Sequence, residues 1–180
     1  MINSQKEEKM EEKSGIITFM GNPLTLLGTE LKIADKAPDF RVVDTELKPV
    51  TLADFKGKIK LISAVPSLDT PVCDTETRRF NMEAANLPAN VVTLTISMDL
   101  PFAQKRWCGA AGIDKIMTLS DYQERSFAGG YGILIKELKL LARCIFVVDA
   151  GDTVRYIQLV KEITREPDYA AVLAAVRGLL

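Results

Sequence analysis

Of the three cysteines in the chain, Cys73 stands where a thiol can be made reactive. An apolar run over residues 59–65 ends at Pro66, and Ser67-Leu68-Asp69-Thr70-Pro71-Val72-Cys73-Asp74 leads from it into a helical pattern. Thr70 suits an N-cap and Pro71 the first helical position, so Cys73 falls inside the first turn. Free backbone N–H groups and the positive end of the helix dipole there favour a thiolate, the form that attacks electrophiles. The chain contains no histidine. That excludes Ser-His-Asp and Cys-His pairs, a histidine general base and any His-bearing zinc site, so the nucleophile must be activated by other means.

The elements that must hold such a thiol are legible as alternation. Residues 59–65 read as a strand, 71–86 as a helix, 91–97 as a strand and 100–108 as a helix, an order that implies parallel strands with crossover helices. A fainter unit follows, with a strand over 115–119 and a short helix over 122–129. Residues 142–149 and 153–160 are strand-like runs joined by Ala150-Gly151-Asp152, an antiparallel hairpin. The last stretch, from Pro167 in a first turn through Leu173, Val176 and Leu180, has the spacing of an amphipathic helix. Upstream, residues 41–44 and 50–52 read as short strands, and 16–19 with 23–27 as a β-hairpin around Met20-Gly21-Asn22. These elements make an α/β protein with a mixed central sheet flanked by helices, a thioredoxin-like fold carrying an N-terminal β-hairpin. Residues 15–180 are expected to form one domain, and residues 1–14 a charged extension without an apolar run, expected to be disordered.

The order Pro66, Thr70, Cys73 resembles the Pro-x-x-x-Thr-x-x-Cys motif of peroxiredoxins, and Ala37-Pro38-Asp39-Phe40 and Phe55-Lys56-Gly57-Lys58 around it are also similar. Gly21-Asn22-Pro23-Leu24, Lys105-Arg106-Trp107-Cys108-Gly109 and Leu140-Leu141-Ala142-Arg143 narrow the resemblance to the thiol peroxidase subfamily, over residues 16–180. The resemblance implies an atypical two-cysteine peroxiredoxin that reduces hydrogen peroxide and organic hydroperoxides. Cys73 would be the peroxidatic cysteine, Cys108 the resolving cysteine of the same chain, and thioredoxin the reductant. Thr70 and Arg143 match other active-site positions, with Pro66 shielding the pocket.

Each role has a physical reason. The Thr70 hydroxyl can accept the Cys73 N–H as a cap while its proton points at the sulfur or the peroxide. Arg143 supplies a permanent cation for the thiolate and for charge developing on the breaking O–O bond. The sulfenic acid left on Cys73 condenses with a second thiol. Cys108, one βα unit after Cys73 in a helix expected to close at Gly109, is the candidate favoured over Cys144, which lies in an apolar strand as a small hydrophobe. Cys144 also departs from the subfamily, which more often has a small apolar residue there. If both helices start at the same sheet edge, Cys108 lies about 12 Å along its helix, whereas a disulfide needs Cα atoms within about 7 Å. The reduced fold is therefore expected to hold the sulfurs apart until the Cys73 turn and the Cys108 helix unfold locally. Phe102, Trp107, Tyr122, Phe127 and Tyr131 are candidates for an apolar rim, or for core. Asp74, Glu76, Arg78 and Arg79 read as the solvated face of the first helix.

A net charge of −1 with 26% charged residues offers nothing for a polyanion, so no nucleic-acid partner is expected. The uncharged apolar runs are far below the roughly 20 residues that span a bilayer, and no signal peptide opens the chain, so a cytoplasmic protein without a membrane partner is expected. No cofactor or metal is expected, since no phosphate loop follows a strand and the cysteines lack ligand spacing. The resemblance implies a homodimer. Two other readings compete. A thiol-disulfide exchange protein on the same fold would have a Cys-x-x-Cys pair, which this chain lacks. A non-enzymatic binding protein would be indifferent to Cys73.

Overall fold

The computed structural model describes residues 10–180. A hairpin comes first, β1 (Glu12–Phe19) and β2 (Asn22–Leu27), followed by the short antiparallel pair β3 (Arg41–Val43) and β4 (Pro49–Thr51) and a 3-10 turn, Leu52–Phe55. The alternating section is β5 (Ile59–Ala64), α1 (Pro71–Ala84), β6 (Val91–Ser97), α2 (Pro101–Ala111), β7 (Met117–Ser120) and α3 (Ser126–Gly130). The chain closes through β8 (Leu134–Ile135), the hairpin β9 (Cys144–Val148) and β10 (Val154–Leu159), and α4 (Tyr169–Arg177). The strand order β10-β9-β5-β6-β7-β3-β4 makes one seven-stranded mixed sheet, and β1-β2-β8 makes a small second sheet.

The expected β-α-β-α section is present, with β5, β6 and β7 parallel and β9 antiparallel to β5. All of β5 and β9 is buried, as a strand covered on both faces must be. One side packs Ile62, Leu94, Ile96 and Phe146 against the small sheet and α3; the other packs Ile59, Leu61, Ile145 and Val147 against Phe80 of α1 and Val172 and Val176 of α4.

Several boundaries differ from the sequence reading. β1 starts at Glu12, so residues 12–14 are paired with 25–27 in place of belonging to a disordered extension. Their charges are tolerated because β1 is an edge strand, where Lys13 meets Glu30 and Glu12 meets Lys136 near the surface. Residues 1–9 of the expected extension lie outside the described residues. α2 runs past Gly109 and ends at Gly112, whose φ of 68° makes the left-handed cap. A glycine without an adjacent turn is simply carried by the helix. α3 starts at Ser126, not 122, because the Asp121 carboxylate waits for the free amides of Phe127 and Ala128. Pro167, expected in the first turn of the last helix, instead precedes α4, whose N-cap is Asp168 accepting the Ala171 amide. β8 was not foreseen: a two-residue strand leaves no periodicity to read.

Candidate active site

Register brings the site together. β9 runs antiparallel to β5 with Cys144 opposite Ala64, so the residue entering β9, Arg143, lies beside the chain leaving β5. That chain turns through Pro66 to Thr70, the N-cap of α1, with Pro71 in the first turn. Cys73 thus enters the first turn of α1 with its side chain fully buried, next to Val65 and Leu68.

The Arg143 guanidinium reaches Cys73, its Nη2 standing 3.3 Å from the sulfur. Arg143 is itself 1% exposed. Its Nε and Nη2 donate to the Ile163 carbonyl at 3.0 and 2.9 Å, and its Nη1 donates to the Glu76 carboxylate. Burial alone would lower its pKa, but the Glu76 carboxylate and the Cys73 sulfur outweigh that and hold it above the ordinary arginine value. Burial pushes the Glu76 carboxyl up, against the opposing charge of Arg143 and a 2.6 Å hydrogen bond from Ser63. Glu76 therefore does not belong to a solvated helix face, as the sequence reading had it. Cys73, Glu76, Thr77 and Phe80 are the buried residues of α1, at the spacing of one inward face, and that spacing was the signal that could have found Glu76. Arg79 does lie outward, its guanidinium 4.1 Å from the centre of the Tyr169 ring.

Thr70 differs from expectation in one respect. Its hydroxyl donates to the Ser67 carbonyl at 3.0 Å and makes no cap bond to α1. The turn over residues 67–70 brings that carbonyl close, and a local side-chain to backbone bond competes with capping. The same loop is tied down by Asp99, which accepts the Ser67 hydroxyl at 2.6 Å and the Leu68 amide at 2.7 Å.

A pocket of about 360 Å³ opens at this point, and Phe19, Pro66, Thr70, Val72, Arg143 and Ile163 are among its walls. Phe19 and Ile163 come from outside the thiol's own βα unit. Glu162 joins them: its carboxylate accepts the Thr18 hydroxyl at 2.7 Å and the Gly21 amide at 3.0 Å, holding the tip of the β1–β2 hairpin against the 161–164 loop. The Thr164 hydroxyl also donates to this carboxylate at 2.7 Å, and that bond first, then those from Gly21 and Thr18, holds the Glu162 pKa down at about 2. The aromatic rim read from the sequence is not this wall. Phe127 and Tyr131 are core, Phe102 is 66% exposed on α2, and Trp107 packs against the cluster around Cys73 from the α2 side.

Cys108 lies in the last turn of α2, half-buried, its sulfur 3.3 Å from the Thr118 hydroxyl of β7. Burial pushes its thiol pKa up. All three cysteines are free; Cys73 lies with Val65 and Leu68, whereas Cys108 lies against Thr118 of β7. Cys144 is buried in β9, and burial, helped by the Glu76 charge, pushes its pKa far up, leaving it an inert small hydrophobe in the core. Among the described residues no group of acidic, histidine or cysteine side chains is placed to hold a metal, and no helix is long and apolar enough to cross a membrane.

Comparison with known proteins places the chain among relatives along most of its length. The Redoxin family model matches residues 32–173. A thiol peroxidase of Halalkalibacterium halodurans is 56% identical over 164 residues, covering 91% of this chain and 98% of that protein. The thiol peroxidase of Bacillus subtilis is 53% identical over 164 residues, again covering 91% and 98%. Among solved structures, a peroxiredoxin-like protein from Aquifex aeolicus superposes with a TM-score of 0.87 at 42% identity, over 95% of this chain and 99% of that one.

Proposed function

The chain belongs to the redoxin family and, within it, to the thiol peroxidases, and we propose that Cys73 is the thiol through which it reduces hydroperoxides. The observation that carries this reading is the Arg143 guanidinium 3.3 Å from a buried sulfur in the first turn of a helix. The Cys73 thiolate attacks one peroxide oxygen, an S–O bond forms as the O–O bond breaks, and the departing oxygen takes a proton to leave as water or an alcohol. Arg143 stabilises negative charge first on sulfur and then on the departing oxygen, and its fork is held for that purpose by Glu76 and the Ile163 carbonyl. Pro66 and Val72 keep water from the sulfur, and the Thr70 hydroxyl, bonded to a carbonyl at rest, is within the pocket to turn toward the peroxide. Apolar walls beside one cation suit an organic hydroperoxide as well as hydrogen peroxide, its alkyl part against Phe19 and Ile163.

Cys108 then closes a disulfide with Cys73. A disulfide between such distant positions is naturally opened by a dithiol that resolves its own mixed disulfide, which is why thioredoxin is proposed over glutathione. Both electrons come from the two sulfurs, so the cycle calls for no cofactor or metal. The cytoplasm, where free thiols persist, and a homodimer are proposed with it, the latter from family likeness. The peroxidase unit is taken to run over residues 15–180 together with the part of β1 that precedes it.

The test treats the wild type and Cys108→Ser with one equivalent of cumene hydroperoxide, follows free thiols and intact mass, and then adds thioredoxin. Loss of two thiols in the wild type, restored by thioredoxin, with a sulfenic acid on Cys73 in the variant, is the expected result. If neither protein consumes peroxide at Cys73, the reading fails, and thiol-disulfide exchange or a non-enzymatic binding role takes its place.

A further inference from the structure

Asp74, Arg78 and Asn81 follow one another at i, i+4 and i+7 along α1 and so share one face of it. All three grip α2 or the chain leaving it. One Asp74 carboxylate oxygen accepts the indole N–H of Trp107 at 3.0 Å, and the other accepts Arg78 Nε at 2.8 Å. Arg78 reaches on to donate through Nη1 to the Ala111 carbonyl at 3.0 Å, its guanidinium carbon 5.7 Å from the centre of the Trp107 ring. Asn81 accepts the amides of Asp114 and Lys115 at 3.2 and 2.8 Å. The turn that carries Cys108 is therefore clamped before and after, at Trp107 and at Ala111, while Cys108 itself is directed at Thr118.

We propose that the Trp107–Asp74–Arg78 contacts form a latch that sets the rate at which Cys108 reaches the Cys73 sulfenic acid. The inference rests on reading Cys108 as the resolving thiol. In that step the Cys108 sulfur attacks the Cys73 sulfur, the S–S bond forms as the S–O bond breaks, and the hydroxide released takes the Cys108 proton to become water. No further oxidant or reductant is needed. The last turns of α2 must leave their place first, and both clamping contacts must open for that. Asp74 and Arg78 are 34% and 46% exposed, so the Arg78 contacts lie in solvent and the Trp107–Asp74 bond is only part-buried, each weak enough to open within a turnover. Burial that raises the Cys108 pKa acts in the same direction, keeping the thiol quiet until the helix releases it. The lifetime of the sulfenic acid, and with it the chance that a second peroxide converts it to sulfinic acid, is thus governed by side chains that touch neither peroxide nor sulfenate.

Trp107 is the single tryptophan of the chain, so its emission reports the latch. Trp107→Phe keeps a ring in the cluster and removes the donor; Arg78→Gln frees Asp74 and the Ala111 end and lifts the guanidinium from the Trp107 ring, leaving Val65, Leu68 and Cys73 themselves unchanged. Rapid mixing of each reduced protein with hydrogen peroxide, quenched and mapped by mass spectrometry, separates sulfenic acid formation from disulfide formation. The second-order loss of the Cys73 thiol is expected to match the wild type, while the disulfide forms about three- to tenfold faster in each variant, the worth of one net hydrogen bond. Less sulfinic acid at high peroxide should accompany it. In the wild type, the Trp107 emission change should follow the disulfide step. Disulfide rates equal to or slower than wild type in both variants would overturn the latch, as would an emission change that coincides with sulfenic acid formation. A wild type that forms no Cys73–Cys108 disulfide would instead overturn the reading of Cys108.

Discussion

Replacing Phe19 by alanine tests whether the N-terminal hairpin is part of the substrate pocket. Phe19 ends β1, is one wall of the cavity beside Arg143, and leaves 40% of its surface exposed. For a side chain of roughly 200 Å² that is about 80 Å² open to a ligand. If a bound cumyl group covers about half of it, removal of the ring forfeits about 1 kcal/mol at roughly 25 cal/mol per Å². Ring-on-ring geometry adds about another 0.5–1.5 kcal/mol. Together these come to about 2 kcal/mol, a fall of about 30-fold in kcat/KM for cumene hydroperoxide. Hydrogen peroxide has no group to reach that wall, so its kcat/KM should stay within about twofold. The fold should hold, because Glu162 grips Thr18 and the Met20 and Gly21 amides, none of which the substitution touches. Steady-state kinetics with both peroxides, coupled to one reductant, yields the ratio directly, and a thermal melt of the reduced protein checks integrity. An unchanged ratio would refute the argument. So would an equal fall for both peroxides, since Phe19 would then be holding Arg143 and not contacting substrate.

Arg143→Lys keeps a cation but replaces a planar fork that meets Glu76, the Ile163 carbonyl and the Cys73 sulfur at once; kcat/KM for every peroxide should fall about 10²- to 10³-fold, measured by competition kinetics, and near wild-type rates would deny the fork its role. Asp121 is fully buried, and burial raises its pKa to about 6 despite the amides it accepts. A raised carboxyl pKa means a folding contribution present in full below about pH 4 and lost as the pH rises through about 6. Urea unfolding at pH 4 and pH 7 should therefore show the wild type losing on the order of 2–3 kcal/mol relative to Asp121→Asn across that interval, and a difference independent of pH would contradict it.

Local rules account for what was legible in the chain. Strands as apolar as β5 and β6 and a helix opened by Thr70 and Pro71 announce themselves because burial and capping act on neighbours in sequence. Short elements were not legible. β8 exists because the Leu26–Leu27 backbone, far away along the chain, is in reach, and α3 starts at Ser126 because the nearby Asp121 carboxylate, on no periodic face, takes the Phe127 and Ala128 amides.

The candidate site divides in the same way. The position of Cys73 in a first helical turn, the lack of any histidine partner and the two other thiols follow from residue types and spacing alone. Which cation meets the sulfur, and through which atom, depended on β9 pairing antiparallel with β5 so that Arg143 stands beside the end of that strand. Glu76 became a buried partner of Arg143, and not a solvated charge, only because the inner face of α1 was laid against that strand pair. Thr70 turned its hydroxyl proton to the Ser67 carbonyl because the closed loop brings that acceptor within reach, whereas the end of the helix offers only N–H donors. Phe19 and Ile163 reached the pocket through a carboxylate, Glu162, that joins the tip of the N-terminal hairpin to the loop after β10. Propensity and capping act over a few residues and can be read from the chain; pairing register, burial of charge and the meeting of distant loops are properties of the packed molecule, and only its tertiary structure decides them.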